Sequence, residues 1–129
     1  MPLAIRELNH VMIRVADLEA SVRFYTDVLE LRPLPRPAFS FPGAWFALGA
    51  QELHLVADPK PPGGTRGHHH FAIWVEDHAA AHRDLVAKGW PHLRGPQLRP
   101  DGVSQLFVTD PDGYIIELMT APPQAAPRA

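Results

Sequence analysis

The sequence predicts an α+β fold built from two copies of one β-α-β-β-β module. The first observation is a repeat, because the pattern His-x-x-x-x-Val-x-Asp occurs at residues 10–17 and again at residues 70–77. In each copy a strand with alternating apolar residues leads to an Asp that is suited to cap a helix. The second observation is the turn signal Asp-Pro-Asp-Gly at residues 110–113, between two runs of strand-forming residues. This pattern is typical of a β-hairpin.

Length and composition restrict the classes of function. The 129 residues correspond to one domain, with 46% hydrophobic residues and a net charge of −2. The absence of cysteine excludes disulfides, thiolate metal sites and cysteine nucleophiles. Acidic and basic residues are interspersed, so we expect neither a nucleic-acid partner nor a membrane-binding surface. No signal peptide or membrane-spanning run is evident, and we therefore expect a cytoplasmic protein.

The first module is expected at residues 6–58. Its first strand, residues 8–15, has Val11, Ile13 and Val15 on one face, and Asp17 then caps a helix over residues 18–30. The prolines that follow predict an irregular segment through Gly43, with Phe39, Phe41 and Trp45 in or beside a loop that could cover a cavity. The last elements are two strands, at residues 45–48 and 52–56.

The second module is expected at residues 68–120, after a linker at residues 58–67. A strand at residues 70–75 precedes the capping residue Asp77, and a helix of about ten residues ends near Gly89. The remaining expected elements are a short strand at 91–95, a loop at 96–102, and a final hairpin of strands 104–109 and 114–120. The whole domain spans residues 1–121, and the tail at 122–129 is expected to be disordered.

Glu117 is the residue that first indicates a functional site. It lies between Ile116 and Leu118 in an apolar strand, where a carboxylate loses hydration unless a positive group compensates it. His10, His54 and His70 lie in comparable strands, and we hypothesise that all four side chains meet at one divalent metal ion.

The repeat relates these residues in pairs. His10 and His70 are 60 residues apart. If Phe46 and Phe107 are equivalent, a turn that is two residues longer in the second module makes His54 the counterpart of Glu117. Glu52 remains an alternative to His54, because it lies two residues earlier on the same strand face.

Three segments resemble the vicinal oxygen chelate superfamily, which includes glyoxalase I, bleomycin-resistance proteins and extradiol dioxygenases. They are NHVMIRVADLEASVRFYTDVLEL at 9–31, HFAIWVED at 70–77 and FVTDPDGYIIEL at 107–118. The resemblance implies a curved eight-stranded mixed sheet around a central cavity, with the helices outside and a metal inside. It also implies a homodimer, and it assigns His10, His54, His70 and Glu117 as the metal ligands.

Three imidazoles and one carboxylate suit Zn, Ni, Fe, Mn or Co. A metal of this kind can polarise a carbonyl or hold two neighbouring substrate oxygens. Around it, strand alternation predicts four substrate-binding side chains, although Trp74 and Phe107 could equally be core aromatics. The four are Arg14, Trp74, Gln105 and Phe107.

The function that the resemblance implies is a metal-dependent, glyoxalase-like lyase or isomerase, with Glu117 as the catalytic base and a small substrate chelated through vicinal oxygens. One alternative is an Fe(II) extradiol ring-cleaving dioxygenase that uses His10, His70 and Glu117. A second alternative is a drug-binding resistance protein without catalysis. Two positions depart from the family pattern: His54 stands where glyoxalase I has Glu or Gln, and Glu30 stands where relatives usually have Gly at the helix end.

Overall fold

A computed structural model describes residues 3–61, 63–65 and 69–120 of the chain. The chain divides into two compact units, residues 1–61 and 62–129, and each unit contains one four-stranded mixed sheet. The expected disordered tail at 122–129 and part of the expected linker lie outside the described residues. Among the described residues, no helix is long and apolar enough to cross a membrane.

The first unit follows the predicted element order, with one addition. Its strands are paired in the order β1-β4-β3-β2, with β1 parallel to β4 and the other pairs antiparallel. The helix is shorter than the predicted range of residues 18–30. Its α-helical part ends at Arg23, and one π-helical turn follows. A short strand, Pro33–Leu34, also occurs within the predicted irregular segment. The elements are β1 His10–Val15, α1 Leu18–Arg23, the π-helical turn Phe24–Val28, β2 Pro33–Leu34, β3 Gly43–Leu48 and β4 Gln51–Ala57.

The second unit repeats this topology, with strand order β5-β8-β7-β6. The predicted loop from Pro96 is wrong, because the sixth strand continues through this proline. The register with β7 shifts between Arg94 and Gln97, and β6 lies at the sheet edge, where a residue without an N–H is tolerated. The elements are β5 Phe71–Trp74, α2 His78–Ala87, β6 Leu93–Leu98, β7 Ser104–Thr109 and β8 Ile115–Thr120.

The α+β class and the two β-α-β-β-β modules are confirmed. In both units the first strand pairs in parallel with the fourth, and the helix between the first two strands starts at the predicted Asp. Asp17 Oδ1 accepts a hydrogen bond from the Ala20 N–H at 3.1 Å, and Asp77 Oδ1 accepts one from the Ala80 N–H at 3.0 Å. Each cap satisfies a backbone donor that a helix start would otherwise leave unpaired.

The apolar core of each unit lies on one face of its sheet. Strand alternation therefore leaves the polar residues of the same strands on the opposite face. We call this opposite face the polar face of the unit, and it carries the predicted site residues. The buried residues of the core face include Ile13, Val15, Phe46, Leu53 and Leu55 in the first unit and Leu106, Val108, Ile116 and Leu118 in the second.

Candidate functional site

His54 lies at the centre of the polar face of the first unit. Strand pairing places Met12 opposite His54 on one side and Trp45 opposite it on the other. The imidazole of His54 stacks on Trp45, with ring centroids 4.1 Å apart and planes 3° apart. It also stacks on the imidazole of His10, again with centroids 4.1 Å apart. These two contacts restrict the orientation of the His54 ring, and only 9% of the residue's surface is exposed.

Glu52 and His54 both lie on this polar face and contact each other. His10 is opposite Glu52 in the parallel pair of β1 and β4, and cross-strand partners share a face of the sheet. His54 Nε2 is 2.8 Å from Glu52 Oε1. The polar face of the first unit therefore carries a carboxylate in addition to its two imidazoles.

Glu117 is held by two side chains on the polar face of the second unit. It is 4% exposed, and its Oε1 lies 3.0 Å from His70 Nε2. Gln105 Nε2 donates a hydrogen bond to Glu117 Oε2 at 3.1 Å. Both carboxylate oxygens thus have polar partners, which offsets the cost of burying this group in an apolar strand.

Strand register relates His54 to Glu117, as the repeat predicted. Met12 pairs with His54 in the first unit, and Ala72 pairs with Glu117 at the same place in the second. The predicted equivalence of Phe46 and Phe107 is wrong. Trp45 pairs with His54 as Phe107 pairs with Glu117, whereas Phe46 lies on the core face at 1% exposure. The second hairpin is therefore longer by one residue and not by two.

The four predicted metal ligands form two pairs, one in each unit. His10 and His54 are in contact in the first unit, and His70 and Glu117 are in contact in the second. Within the described ranges, no group of three or more His, Asp or Glu side chains is arranged to hold a metal ion. Each pair offers nitrogen or oxygen donors that a borderline divalent ion accepts.

The predicted substrate-binding residues differ in their surroundings. Gln105 contacts Glu117, and the Phe107 ring lies edge-on to His70 with centroids 6.0 Å apart. Trp74 shares this polar face and is 46% exposed. Arg14, by contrast, forms an ion pair with Asp58 at 2.9 Å, so an acid of its own unit already neutralises it.

An aromatic cluster extends the stack of Trp45 and His54 in the first unit. The Phe39 ring lies 6.1 Å from Trp45 and 5.2 Å from Phe41, between centroids. Arg36 organises this segment, since its guanidinium lies over both phenylalanine rings and donates a hydrogen bond to the Phe41 carbonyl at 2.9 Å. The segment that the sequence predicts as a covering loop is therefore held in one conformation by contacts among its own residues.

Arg94 is a residue of the polar face of the second unit that the sequence did not single out. Its guanidinium carbon lies 4.3 Å from the centroid of the Phe107 ring, and the two residues are cross-strand partners. The predicted strand at residues 91–95 includes Arg94, but its pairing with β7 could not be read from the sequence. The register places Arg94 opposite Phe107, on the face that Phe107 shares with Gln105.

A cleft of about 350 Å³ adjoins His70 in the second unit. Thr65, Phe71, Tyr114 and Ile115 contribute to its walls. Thr65 is fixed there, since its Oγ1 accepts a hydrogen bond from the Ile115 N–H at 2.8 Å. The cleft provides room for a small ligand beside a predicted metal ligand.

Comparison with known proteins agrees with this architecture. The sequence model of the Glyoxalase/Bleomycin resistance protein/Dioxygenase superfamily matches residues 7–118. A protein of Synechocystis sp. named "Probable lactoylglutathione lyase" is 34% identical, over 87% of this chain and 93% of that protein. "Glyoxylase I 4" of Arabidopsis thaliana is 32% identical, over 91% of this chain and 72% of that protein.

A solved structure gives the same result for the fold. A glyoxalase family protein from Bacillus anthracis superposes with a TM-score of 0.83 at 26% identity, over 95% of this chain and 100% of that chain. The match of the family model covers both modules, including all four predicted ligands. The chain therefore belongs to the Glyoxalase/Bleomycin resistance protein/Dioxygenase superfamily.

Proposed function

We propose that this protein is a divalent-metal-dependent lyase or isomerase of the glyoxalase type, acting on a small substrate that binds through two neighbouring oxygens. The observation that carries the proposal is the buried carboxylate of Glu117, with His70 Nε2 3.0 Å from one oxygen and Gln105 Nε2 3.1 Å from the other. A carboxylate held in this way is positioned for proton transfer. The lyase name of the Synechocystis relative supports the same class of reaction.

We propose His10, His54, His70 and Glu117 as the ligands of Zn, Ni, Fe, Mn or Co. Their arrangement as two register-related pairs supports this assignment, because each module of the repeat supplies one pair. When bound, a divalent ion polarises substrate oxygens and makes the neighbouring C–H bond more acidic. Glu52, which contacts His54, is the alternative donor in the first unit.

Glu117 is proposed to move the proton. Its carboxylate would take the proton from the carbon that bears one of the two neighbouring substrate oxygens and return it to the adjacent carbon, so that no oxidant or reductant is consumed. Gln105 keeps hold of Oε2 while Oε1, which faces His70, exchanges the proton. Without the amide of Gln105, the carboxylate would be free to rotate away from the reacting carbon.

One observation favours a second candidate, an Fe(II) extradiol dioxygenase. His54 Nε2 lies 2.8 Å from Glu52 Oε1, and a His54 retained by Glu52 would leave three ligands: His10, His70 and Glu117. Two histidines and one carboxylate with open positions are typical of non-haem iron oxygenases. Oxygen consumption with catechol would identify this reaction.

The test is turnover by protein loaded separately with each candidate metal. The hemithioacetal of methylglyoxal and glutathione is the first substrate, and catechol with O₂ is the second. We expect Glu117→Gln to lower kcat by roughly 10²- to 10⁴-fold, which is the usual contribution of a general base. Glu76→Gln, a change at an exposed acid of the same unit, is the control and should leave kcat unchanged.

Two outcomes would contradict the proposal. One is full turnover by Glu117→Gln. The other is tight binding of a drug-like ligand that neither His10→Ala nor Glu117→Gln weakens, which would identify a binding protein without catalysis.

We further propose that the protein acts as a cytoplasmic homodimer on a small molecule, with no nucleic-acid or membrane partner. The interspersed charges argue against a nucleic-acid or membrane partner, and members of the family often form dimers. Sedimentation equilibrium should then give twice the chain mass of 14.3 kDa, whereas a mass of 14.3 kDa would contradict the dimer.

A further inference from the structure

Two histidines lie one turn apart on the helix α2. His78 is its first residue and His82 follows four positions later, so the two side chains are neighbours on one side of the helix. Both are half-buried, and Leu85 on the same side is 3% exposed. Since α2 packs against β7 and β8 through this side, the pair lies outside the polar face that carries His70 and Glu117.

The repeat supplies an internal comparison for this pair. The first helix carries Leu18 and Val22 at the corresponding positions, 60 residues earlier in the chain. Two aliphatic side chains are thus sufficient for packing at this place in the fold. The second helix carries two imidazoles instead, and imidazoles need polar partners when they are buried. Packing of the helix alone therefore does not explain the two histidines.

His78 has a buried nitrogen atom that lacks a partner. Within the described residues, Nε2 of His78 is inaccessible to solvent and forms no hydrogen bond. Each nitrogen of an imidazole is either an N–H donor or a lone-pair acceptor, and leaving one of them buried and unpaired is unfavourable. A metal ion bonded to the lone pair of Nε2 would remove this cost.

The spacing of the two imidazoles suits a single metal ion. Residues four positions apart on a helix have Cβ atoms about 5–6 Å apart. The Cα–Cβ bonds of a helix tilt toward its N-terminus, so the side chain of His82 is directed back over the turn that contains His78. Helical zinc sites use two histidines at this spacing on one helix face.

Charges at the start of α2 compensate for a bound cation. The first turn of a helix presents the positive end of its dipole, which disfavours a cation. Glu76 and Asp77 directly precede His78, and both carry negative charge. The carboxylate of Asp77 lies at this helix end, where its Oδ1 accepts the Ala80 N–H. The two acids therefore offset the dipole where the ion would bind.

We infer that His78 and His82 bind one divalent ion of the group Zn²⁺, Cu²⁺ and Ni²⁺, with His78 bonded through Nε2. Imidazole nitrogen is a favoured ligand of these ions. In the part of the chain that the structure describes, no third His, Asp or Glu joins the pair, so water completes the coordination and the ion is exchangeable. The ion links the first two turns of α2 and thereby stabilises the folded second unit.

Titration of the metal-free protein with Zn²⁺, followed through the NMR signals of the imidazole groups, tests this inference. We expect the signals of His78 and His82 to shift saturably and at the same Zn²⁺ concentrations, as two ligands of one ion must. His78→Gln should weaken the Zn²⁺ affinity measured at His82 by at least about tenfold, because even loss of a residue that only orients a ligand costs about 10- to 100-fold. His82→Gln should do the same at His78, and it serves as the test if His78→Gln does not fold.

The control is His92→Gln, which removes an exposed histidine of the same unit outside α2 and should leave the Zn²⁺ affinity at both positions unchanged. Absence of a Zn²⁺-dependent shift at His78 and His82 would overturn the inference. So would a His82 response of equal affinity in the wild type and in His78→Gln, because it would show that His82 binds the ion alone. Each histidine is observed separately, so the result is independent of metal binding by the four ligands proposed above.

Discussion

Glu117 and His54 occupy equivalent places in the two modules, but they are stabilised by different physical means. Glu117 has a polar partner for each oxygen, whereas His54 is packed between the two rings of His10 and Trp45. The carboxylate could be found from the sequence, because a charge in an apolar strand requires compensation. The stacked rings could not, because their contact depends on strand register.

The backbone of Glu30 is left-handed directly after the first helical segment. Its φ of +58° is a conformation that glycine adopts more readily than other residues, and Gly89 ends the second helix with a φ of +76°. The sequence predicted a helix end at both positions. It did not predict that Glu30 would keep a conformation that favours glycine.

We predict that Glu30→Gly raises the free energy of unfolding by about 0.5–1 kcal/mol, because it relieves left-handed strain at some cost in chain entropy. Gly89→Ala should lower it by about 1–2 kcal/mol, since a Cβ there meets no atom within 4 Å and only the backbone is strained. Urea denaturation measures both. A Glu30→Gly variant that is less stable than the wild type would show that contacts of the Glu30 side chain stabilise the fold by more than the left-handed backbone destabilises it.

At the scale of elements, local signals predicted most of the fold. The capping aspartates, the ten-residue helix α2 and the strand Ser104–Thr109 agree with expectation, because each depends on residues that are close in sequence. The strand β6 was predicted to end too early, since only its pairing with β7 overrides the usual effect of a proline.

The final hairpin depends on Asp110. This residue is 2% exposed, and its Oδ1 accepts hydrogen bonds from the Asp112 N–H at 2.9 Å and the Tyr114 N–H at 2.8 Å. We predict that Asp110→Ala lowers the free energy of unfolding by about 2–4 kcal/mol, because it leaves two donors without their acceptor. Asp110→Asn keeps one oxygen acceptor and should cost about half as much. Thermal denaturation that gave equal, small losses for both variants would contradict this role.

For the whole molecule, the repeat was the most informative feature of the sequence. It predicted two modules of the same topology and related His10 to His70 and His54 to Glu117 before any contact was known. It could not show which side chains touch within a module. The row from Arg94 to Glu117 required the strand register, whereas Glu52 and His54 are neighbours on one face of the same strand.

We propose that His10, His54, His70 and Glu117 bind one divalent ion. The direct test is a crystal structure of the metal-loaded protein, with the ion located by its anomalous scattering. We expect one ion bonded to these four side chains, with Glu117 as the carboxylate ligand. An ion bonded to His10, His70 and Glu117 alone would favour the dioxygenase, and an ion that contacts neither His70 nor Glu117 would show that this ligand set is wrong.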